Sequence, residues 1–300
     1  MDILKFAHVT KTFGTNRVIE DLDFSVPQHS VFGFIGINGA GKTTAMKMAL
    51  GLVKPDGGEI FVNGERVSFG QNKTNRFIGY LPDIPEFYGF MTPMEYLGLC
   101  GEISGMCRAD IRKRALELLE LVGLEHADKR IRGFSRGMKQ RLGIAQALLG
   151  SPKLLICDEP TSALDPIGRK EILDILSSVK ERTTVIFSTH ILSDVERICD
   201  RIAFLHAGKI AMEGTLEEIR GFRKGDSVEV ELLREEDAQR MLRIYSGAVR
   251  TGKSKILLAK QNEADMTQVM RWLADNKLSV QRLERLEPAL EDLFLEVAGG

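Results

Sequence analysis

Gly36-Ile37-Asn38-Gly39-Ala40-Gly41-Lys42-Thr43 decides how the rest of the chain is read. It follows the apolar run Val31-Phe32-Gly33-Phe34-Ile35, long enough for a buried strand, and leads into Thr44-Ala45-Met46-Lys47-Met48-Ala49-Leu50, which has helical composition. Glycines let a backbone fold tightly enough for several N–H groups to converge on one anion, and the partial positive charge of a helix N-terminus adds to them. Strand, glycine loop and helix together predict a nucleoside triphosphate cradle built from Gly36, Asn38, Gly39, Ala40, Gly41, Lys42, Thr43 and Thr44. Lys42 is expected to reach the β- and γ-phosphates, and the Thr43 hydroxyl to hold Mg²⁺. A glycine turn capping an ordinary helix is the bland alternative, and the flanking strand argues against it.

The bulk composition sets bounds on this reading. The 300 residues, 43% hydrophobic, suffice for one large core or two moderate ones, and two domains are expected. Forty-two acidic residues nearly cancel forty-one basic ones, so no global field favours nucleic acid or an anionic membrane. The four cysteines, Cys100, Cys107, Cys157 and Cys199, show no metal-site or redox spacing. Cys157 reads as a small buried hydrophobe, and a reducing, cytoplasmic setting is expected. No apolar stretch approaches the roughly 18–20 residues needed to span a bilayer, and Met1-Asp2-Ile3-Leu4-Lys5 does not open a signal peptide. Any service to a membrane is expected to run through a partner.

Residues 3–9 and 18–26 alternate loosely and predict antiparallel strands. Between them Phe13 precedes a glycine turn, where an aromatic ring either stacks on a base or joins the core. Residues 58–62 and 65–69 flank Asn63-Gly64, a type I′ hairpin signal. A short strand, Ile78-Gly79-Tyr80-Leu81-Pro82-Asp83, runs into a proline-punctuated loop. Thr92-Pro93-Met94-Glu95 then reads as a capping box opening a helix to about Ser104, and a second helix is predicted over residues 110–121. Residues 84–150 are thus expected to form an all-helical insert in an α/β domain. Its last helix opens at Ser135-Arg136-Gly137, which serves as an ordinary cap or as a second anion site.

Leu154-Leu155-Ile156-Cys157 is apolar throughout, as a central parallel strand should be, and it ends in Asp158-Glu159-Pro160. Adjacent carboxylates at a buried strand end are costly unless used or exposed, so Asp158 is expected in the Mg²⁺ shell and Glu159 beside an attacking water. Asp165 and Pro166 start another helix as N-cap and first residue. The strand over residues 183–188 delivers His190, structural or functional according to its neighbours. In open α/β sheets active groups gather at strand carboxyl ends, where Gly36, Asp158 and His190 converge. After a hairpin at residues 201–213, a short helix and a charged linker at residues 220–225, the order strand-helix-strand-strand-helix-strand predicts a small ferredoxin-like module, closed by a helix over residues 288–297.

These motifs, in this order, resemble the ATP-binding subunit of an ABC transporter over about residues 2–222. The resemblance implies a P-loop NTPase core with an antiparallel β subdomain and helical insert, followed by the C-terminal α+β module at residues 226–300. It implies Glu159 as the catalytic glutamate, with Lys42 and the switch histidine His190 in the reaction centre, and Phe13 as the adenine-stacking aromatic. It also implies that Ser135 and Gly137 meet the γ-phosphate held by a second copy, with Asp165 in the adjoining D-loop. Two chains would then sandwich two ATP molecules.

Two departures stand out. The usual Leu-Ser-Gly-Gly-Gln reads Phe134-Ser135-Arg136-Gly137-Met138 here, and Asp83 replaces a glutamine that senses Mg²⁺ and water. Asp83 is therefore expected in the nucleotide and Mg²⁺ shell, with its role altered because an ionised carboxylate accepts but cannot donate. The C-terminal module and Ser-Arg-Gly-Met-Lys-Gln-Arg are similar to the drug, antibiotic and lipid exporter branch. The resemblance implies a separate membrane permease partner docking near residues 84–104 and no nucleic-acid partner. Soluble relatives acting on ribosomes or DNA usually carry two cassettes or a long coiled coil, which this sequence lacks. A P-loop kinase or GTPase would have no use for the second helix start at Ser135.

Overall fold

The computed structural model describes residues 1–71, 73–221, 227–245, 248–258 and 266–286, together with Leu290 and Phe294. The chain divides into two compact units, Met1–Leu216 and Glu217–Gly300. In the first, β1 (Asp2–Phe13) and β2 (Asn16–Pro27) form a long antiparallel pair. Phe6, Phe24 and Phe34 stack face to face with centroids 4.8 and 5.2 Å apart, tying this pair to the next strand, β3 (Val31–Ile35). All five residues of β3 are buried, and it feeds directly into the glycine loop and α1 (Lys42–Ala49). Strands β4 (Gly57–Val62) and β5 (Glu65–Arg66) flank Asn63 and Gly64, both at positive φ, as the hairpin signal demands. The second strand stops at Arg66 rather than Phe69. There the backbone turns at Ser68 and bonds Gly51 through the Gly70 N–H instead of extending the ladder.

Strand β6 (Ile78–Leu81) precedes the helical insert: α2 (Pro93–Ile103), α3 (Arg108–Leu121) and α4 (Arg136–Leu148). The capping box forms as read, with Thr92 N–H donating to Glu95 Oε2 at 2.8 Å and Glu95 N–H to Thr92 Oγ1 at 3.3 Å. Helix α4 lies hard against β6. A Cβ on Gly79 would sit 2.1 Å from the Ala147 carbonyl oxygen, so only glycine permits the approach. Then follow β7 (Leu154–Asp158), α5 (Pro166–Val179), β8 (Thr184–Thr189), α6 (Leu192–Ile198), β9 (Arg201–His206), β10 (Lys209–Thr215) and α7 (Leu216–Gly221).

The resulting sheet has ten strands in the order β5-β4-β1-β2-β10-β9-β3-β8-β7-β6. Strands β9, β3, β8, β7 and β6 are mutually parallel. Their buried, β-branched and aromatic side chains suit a sheet covered on both faces. The parallel register brings the carboxyl ends of β3, β8, β7 and β6 to one edge. Those ends carry the glycine loop, His190, Asp158 with Glu159, and Asp83 in turn.

The second unit contains β11 (Ser227–Leu232), α8 (Glu235–Ile244), β12 (Ala248–Arg250), β13 (Lys255–Leu258), α9 (Met266–Asp275) and β14 (Val280–Leu286). Its antiparallel sheet runs β12-β13-β11-β14, the ferredoxin-like order, over a core of Val228, Val230, Met241, Ile256, Val269 and Leu273. The expected linker begins within α7, with residues 222–226 outside the described residues. The expected closing helix lies outside them as well, apart from Leu290 and Phe294. No helix among the described residues is long and apolar enough to cross a membrane.

Candidate active site

Helix α1 begins at Lys42 with Gly41 as its N-cap at φ 107°, and no side chain caps it. Its first N–H groups are therefore left for a ligand, with the helix dipole behind them. A Cβ on Gly41 would lie 2.6 Å from Ile19 Cδ1, and Gly39 holds φ 84°, so the loop tolerates little but glycine at either position. The cleft over the loop measures about 540 Å³. Its floor is Asn38, Gly39, Gly41, Lys42, Thr43 and Thr44, and its walls are Phe13, Val18, Asp83 and Glu159. Gly36 and Ala40 shape the turn beneath: Ala40 N–H donates to Ile37 O at 3.1 Å, and the Gly36 carbonyl receives Lys42 Nζ at 2.7 Å.

Lys42 is only 6% exposed, and Nζ also lies 3.1 Å from Glu159 Oε1. That oxygen is buried, and the ammonium is its ion-pair partner without well-formed hydrogen-bond geometry. Glu159 Oε2 lies 2.9 Å from His190 Nδ1. The carboxylate is thus suspended between a cation and an imidazole. Glu159 sits at φ 48°, a left-handed backbone rare outside glycine. Ser188 secures it: the Glu159 N–H donates to Ser188 Oγ at 2.9 Å, and Ser188 Oγ donates to Asp158 Oδ1 at 2.6 Å. Parallel pairing sets Asp158 beside Ser188, and both are buried. Burial, and then the Asp158 charge, push the nearby Tyr80 phenol up to about 12, so it stays protonated.

The residues present fit a magnesium nucleotide. The loop offers a cradle that a Cβ would fill, an uncapped helix start and a buried ammonium, while Thr43 and Asp158 supply the oxygen donors a hard cation takes. Phe13 stands 48% exposed on the cleft wall, with Lys11 Nζ 5.0 Å from its ring centroid, which removes it from the core.

Seven of the expected residues are not among those lining this cleft: Gly36 and Ala40 lie in the turn beneath it, Asp158 and His190 adjoin Glu159, and the other three are Ser135, Gly137 and Asp165. Ser135 caps α4 by accepting from Met138 N–H at 3.2 Å, and Asp165 caps α5 by accepting from Gly168 N–H at 3.2 Å. Gly137 is open, the nearest atom to a Cβ there being Leu164 Cδ2 at 4.0 Å. Asp83 does line the cleft, but its Oδ1 accepts from Ser162 Oγ at 2.6 Å. Sequence reading missed Ser188. Its one signal was a hydroxyl at the end of the β-branched strand read over residues 183–188.

Two family models match the chain. The ABC transporter family model matches residues 19–162, and the model described as ATP-binding protein DrrA1-3-like, C-terminal domain, matches residues 214–298. The chain is 36% identical over 297 residues to the uncharacterized ABC transporter ATP-binding protein YxlF of Bacillus subtilis (strain 168), covering 98% of this chain and 99% of that one. The chain belongs to the ABC transporter ATP-binding proteins. This ABC subunit is also 36% identical to the bacitracin transport ATP-binding protein BcrA of Bacillus licheniformis, over 99% of this chain and 98% of BcrA.

Among solved structures, the ATP-binding subunit of an ABC transporter matches with a TM-score of 0.66 at 35% identity, covering 73% of this chain and 92% of that one. An ATP-binding cassette solved as a dimer in a post-hydrolysis state with ADP and Pi matches at 0.61 and 26% identity, over 71% and 98%. The subunit is accordingly an ABC transporter ATPase. This cassette binds ATP or ADP.

Proposed function

We propose that this ABC ATPase powers an exporter, closing as a homodimer around two MgATP and driving a separate polytopic permease from the cytoplasmic face of the membrane. The observation that carries the reading is the suspension of Glu159 between Lys42 and His190 at the mouth of an uncapped glycine-loop helix. Bound Mg²⁺ supplies charge neutralisation at the phosphates, with Thr43 and Asp158 as its protein oxygens. Phosphate oxygens compete for the Lys42 ammonium, and drawing it away frees Glu159 Oε1 to take a proton from water. His190 keeps Oε2 and so holds the carboxylate in line. Phe13 stacks on the base, an exposed ring gaining contact area there. Ser135 and Gly137, absent from the cleft in their own chain, complete the partner's site from across the dimer, with Asp165 beside them.

The export direction and antibiotic class of cargo rest on similarity to BcrA, whose name records bacitracin transport. Docking of the permease on the helical insert is supported by exposed Ile84, Tyr88 and Phe90 beside a groove of about 460 Å³. The test is capture of the Glu159→Gln chain, with and without MgATP, from membranes of its native cell, read by mass spectrometry. A single polytopic membrane protein enriched with the chain is expected. Ribosomal or DNA-repair proteins, with no membrane protein, would contradict the transport reading.

A further inference from the structure

Among the described residues, Asp83 alone lines both the phosphate cleft and the 460 Å³ groove beside the helical insert. Its carboxylate is engaged on the groove side. Oδ1 accepts from Ser162 Oγ at 2.6 Å and lies 3.7 Å from Arg136 Nη2, while Arg136 Nη2 donates to the same Ser162 Oγ at 3.3 Å. Beneath them Gln140, 1% exposed, donates through Nε2 to the carbonyls of Asp83 at 3.3 Å and Pro160 at 3.1 Å. Three segments far apart in sequence are thus joined: the loop after β6, the first turn of α4 and the turn after β7. That last turn matters most, because the Ser162 N–H donates to the Glu159 carbonyl at 3.1 Å. Whatever fixes Ser162 fixes the turn that presents Glu159.

We propose that Asp83 is a positioning residue and not a metal ligand: with Arg136 as counter-charge it clamps Ser162, and through that turn it fixes where the Glu159 carboxylate stands at the cleft. The inference rests on the reading of Glu159 as the base. Residue chemistry makes the three a matched set. An ionised carboxylate only accepts, so it needs donors, and the hydroxyl and guanidinium supply them. A neutral amide at position 83 would still accept from Ser162 but would lose its pull on the guanidinium. Partly exposed ion pairs add little stability, so the clamp acts on geometry.

The experiment measures steady-state ATPase activity of the full chain across a Mg²⁺ titration for Asp83→Asn, Arg136→Ala, Ser162→Ala and the Asp83→Asn/Arg136→Ala double variant. Each single change is expected to lower kcat about tenfold, with the KM for ATP and the Mg²⁺ half-saturation within about twofold of wild type. The double variant is expected to be no slower than the worse single one, and Arg136→Lys to recover part of the loss. A Mg²⁺ half-saturation raised several-fold in Asp83→Asn alone would overturn the proposal and return Asp83 to the metal shell. Fully multiplicative losses, or Ser162→Ala with wild-type kcat, would also overturn it. A wild-type chain without ATPase activity would defeat the hydrolysis reading and this inference with it.

Discussion

Replacing Ser188 with alanine tests the part of the site that sequence reading missed. Ser188 is 0% exposed, and its hydroxyl satisfies both Asp158 Oδ1 at 2.6 Å and the Glu159 N–H at 2.9 Å. Removing it strands one buried carboxylate oxygen and one part-buried N–H, groups costing about 1–3 kcal/mol each when buried, so the Met1–Leu216 unit should lose about 3 kcal/mol. At about 2–4 °C per kcal/mol for a unit of this length, its melting transition should fall by about 6–12 °C. That transition is identified in the full chain as the one MgATP shifts upward. Activity should fall as well. The left-handed backbone at Glu159 costs about 1–3 kcal/mol and is held by this hydrogen bond. Once released, the peptide relaxes and draws the carboxylate from His190, which holds it in line. A loss of about 1.4–2.8 kcal/mol of transition-state stabilisation is a tenfold to hundredfold drop in kcat, read as phosphate release at saturating MgATP. A Ser188→Ala chain with wild-type melting and wild-type kcat would refute the reasoning.

Lys42→Ala removes the buried ammonium, so ATP affinity measured by calorimetry should weaken by at least about tenfold; unchanged affinity would count against the phosphate cradle. Gly41→Ala places a Cβ 2.6 Å from Ile19 Cδ1 at φ 107°, and should abolish nucleotide-dependent thermal stabilisation; a normal MgATP shift would contradict the loop geometry. Burial raises the Asp194 carboxyl above the usual range, against the lowering effects of Thr161, Arg169, His190 and Arg197. Its raised folded-state pKa means the native chain binds the proton more tightly, so the penalty of the ionised form is relieved as pH falls through that value. Wild type should therefore gain urea resistance relative to Asp194→Asn between pH ~7 and pH ~4, and parallel curves would rule the linkage out.

The glycine loop was legible because its chemistry is local: positive φ at Gly39 and Gly41, a strand before and a helix after are all written within twenty residues. Helix starts at Thr92, Ser135 and Asp165 were legible for the same reason, since a cap and the N–H it binds are three residues apart. The order of elements in the second unit followed from period alone. What stayed hidden depends on separation. Ser188 meets Asp158 across thirty residues and Ser162 meets Asp83 across seventy-nine, and only strand register and loop packing create those contacts. Asp83 was read by its position in a motif, and no local pattern links its Oδ1 to the Ser162 hydroxyl it accepts from.

The central claim is that Glu159 is the base whose release from Lys42 permits hydrolysis within an ATP-closed pair of chains. The most direct measurement is light scattering of purified Glu159→Gln with MgATP, alongside its phosphate release. A stable dimer containing two ATP is expected, with turnover reduced by at least about a hundredfold. A monomer that hydrolyses ATP at the wild-type rate would contradict it.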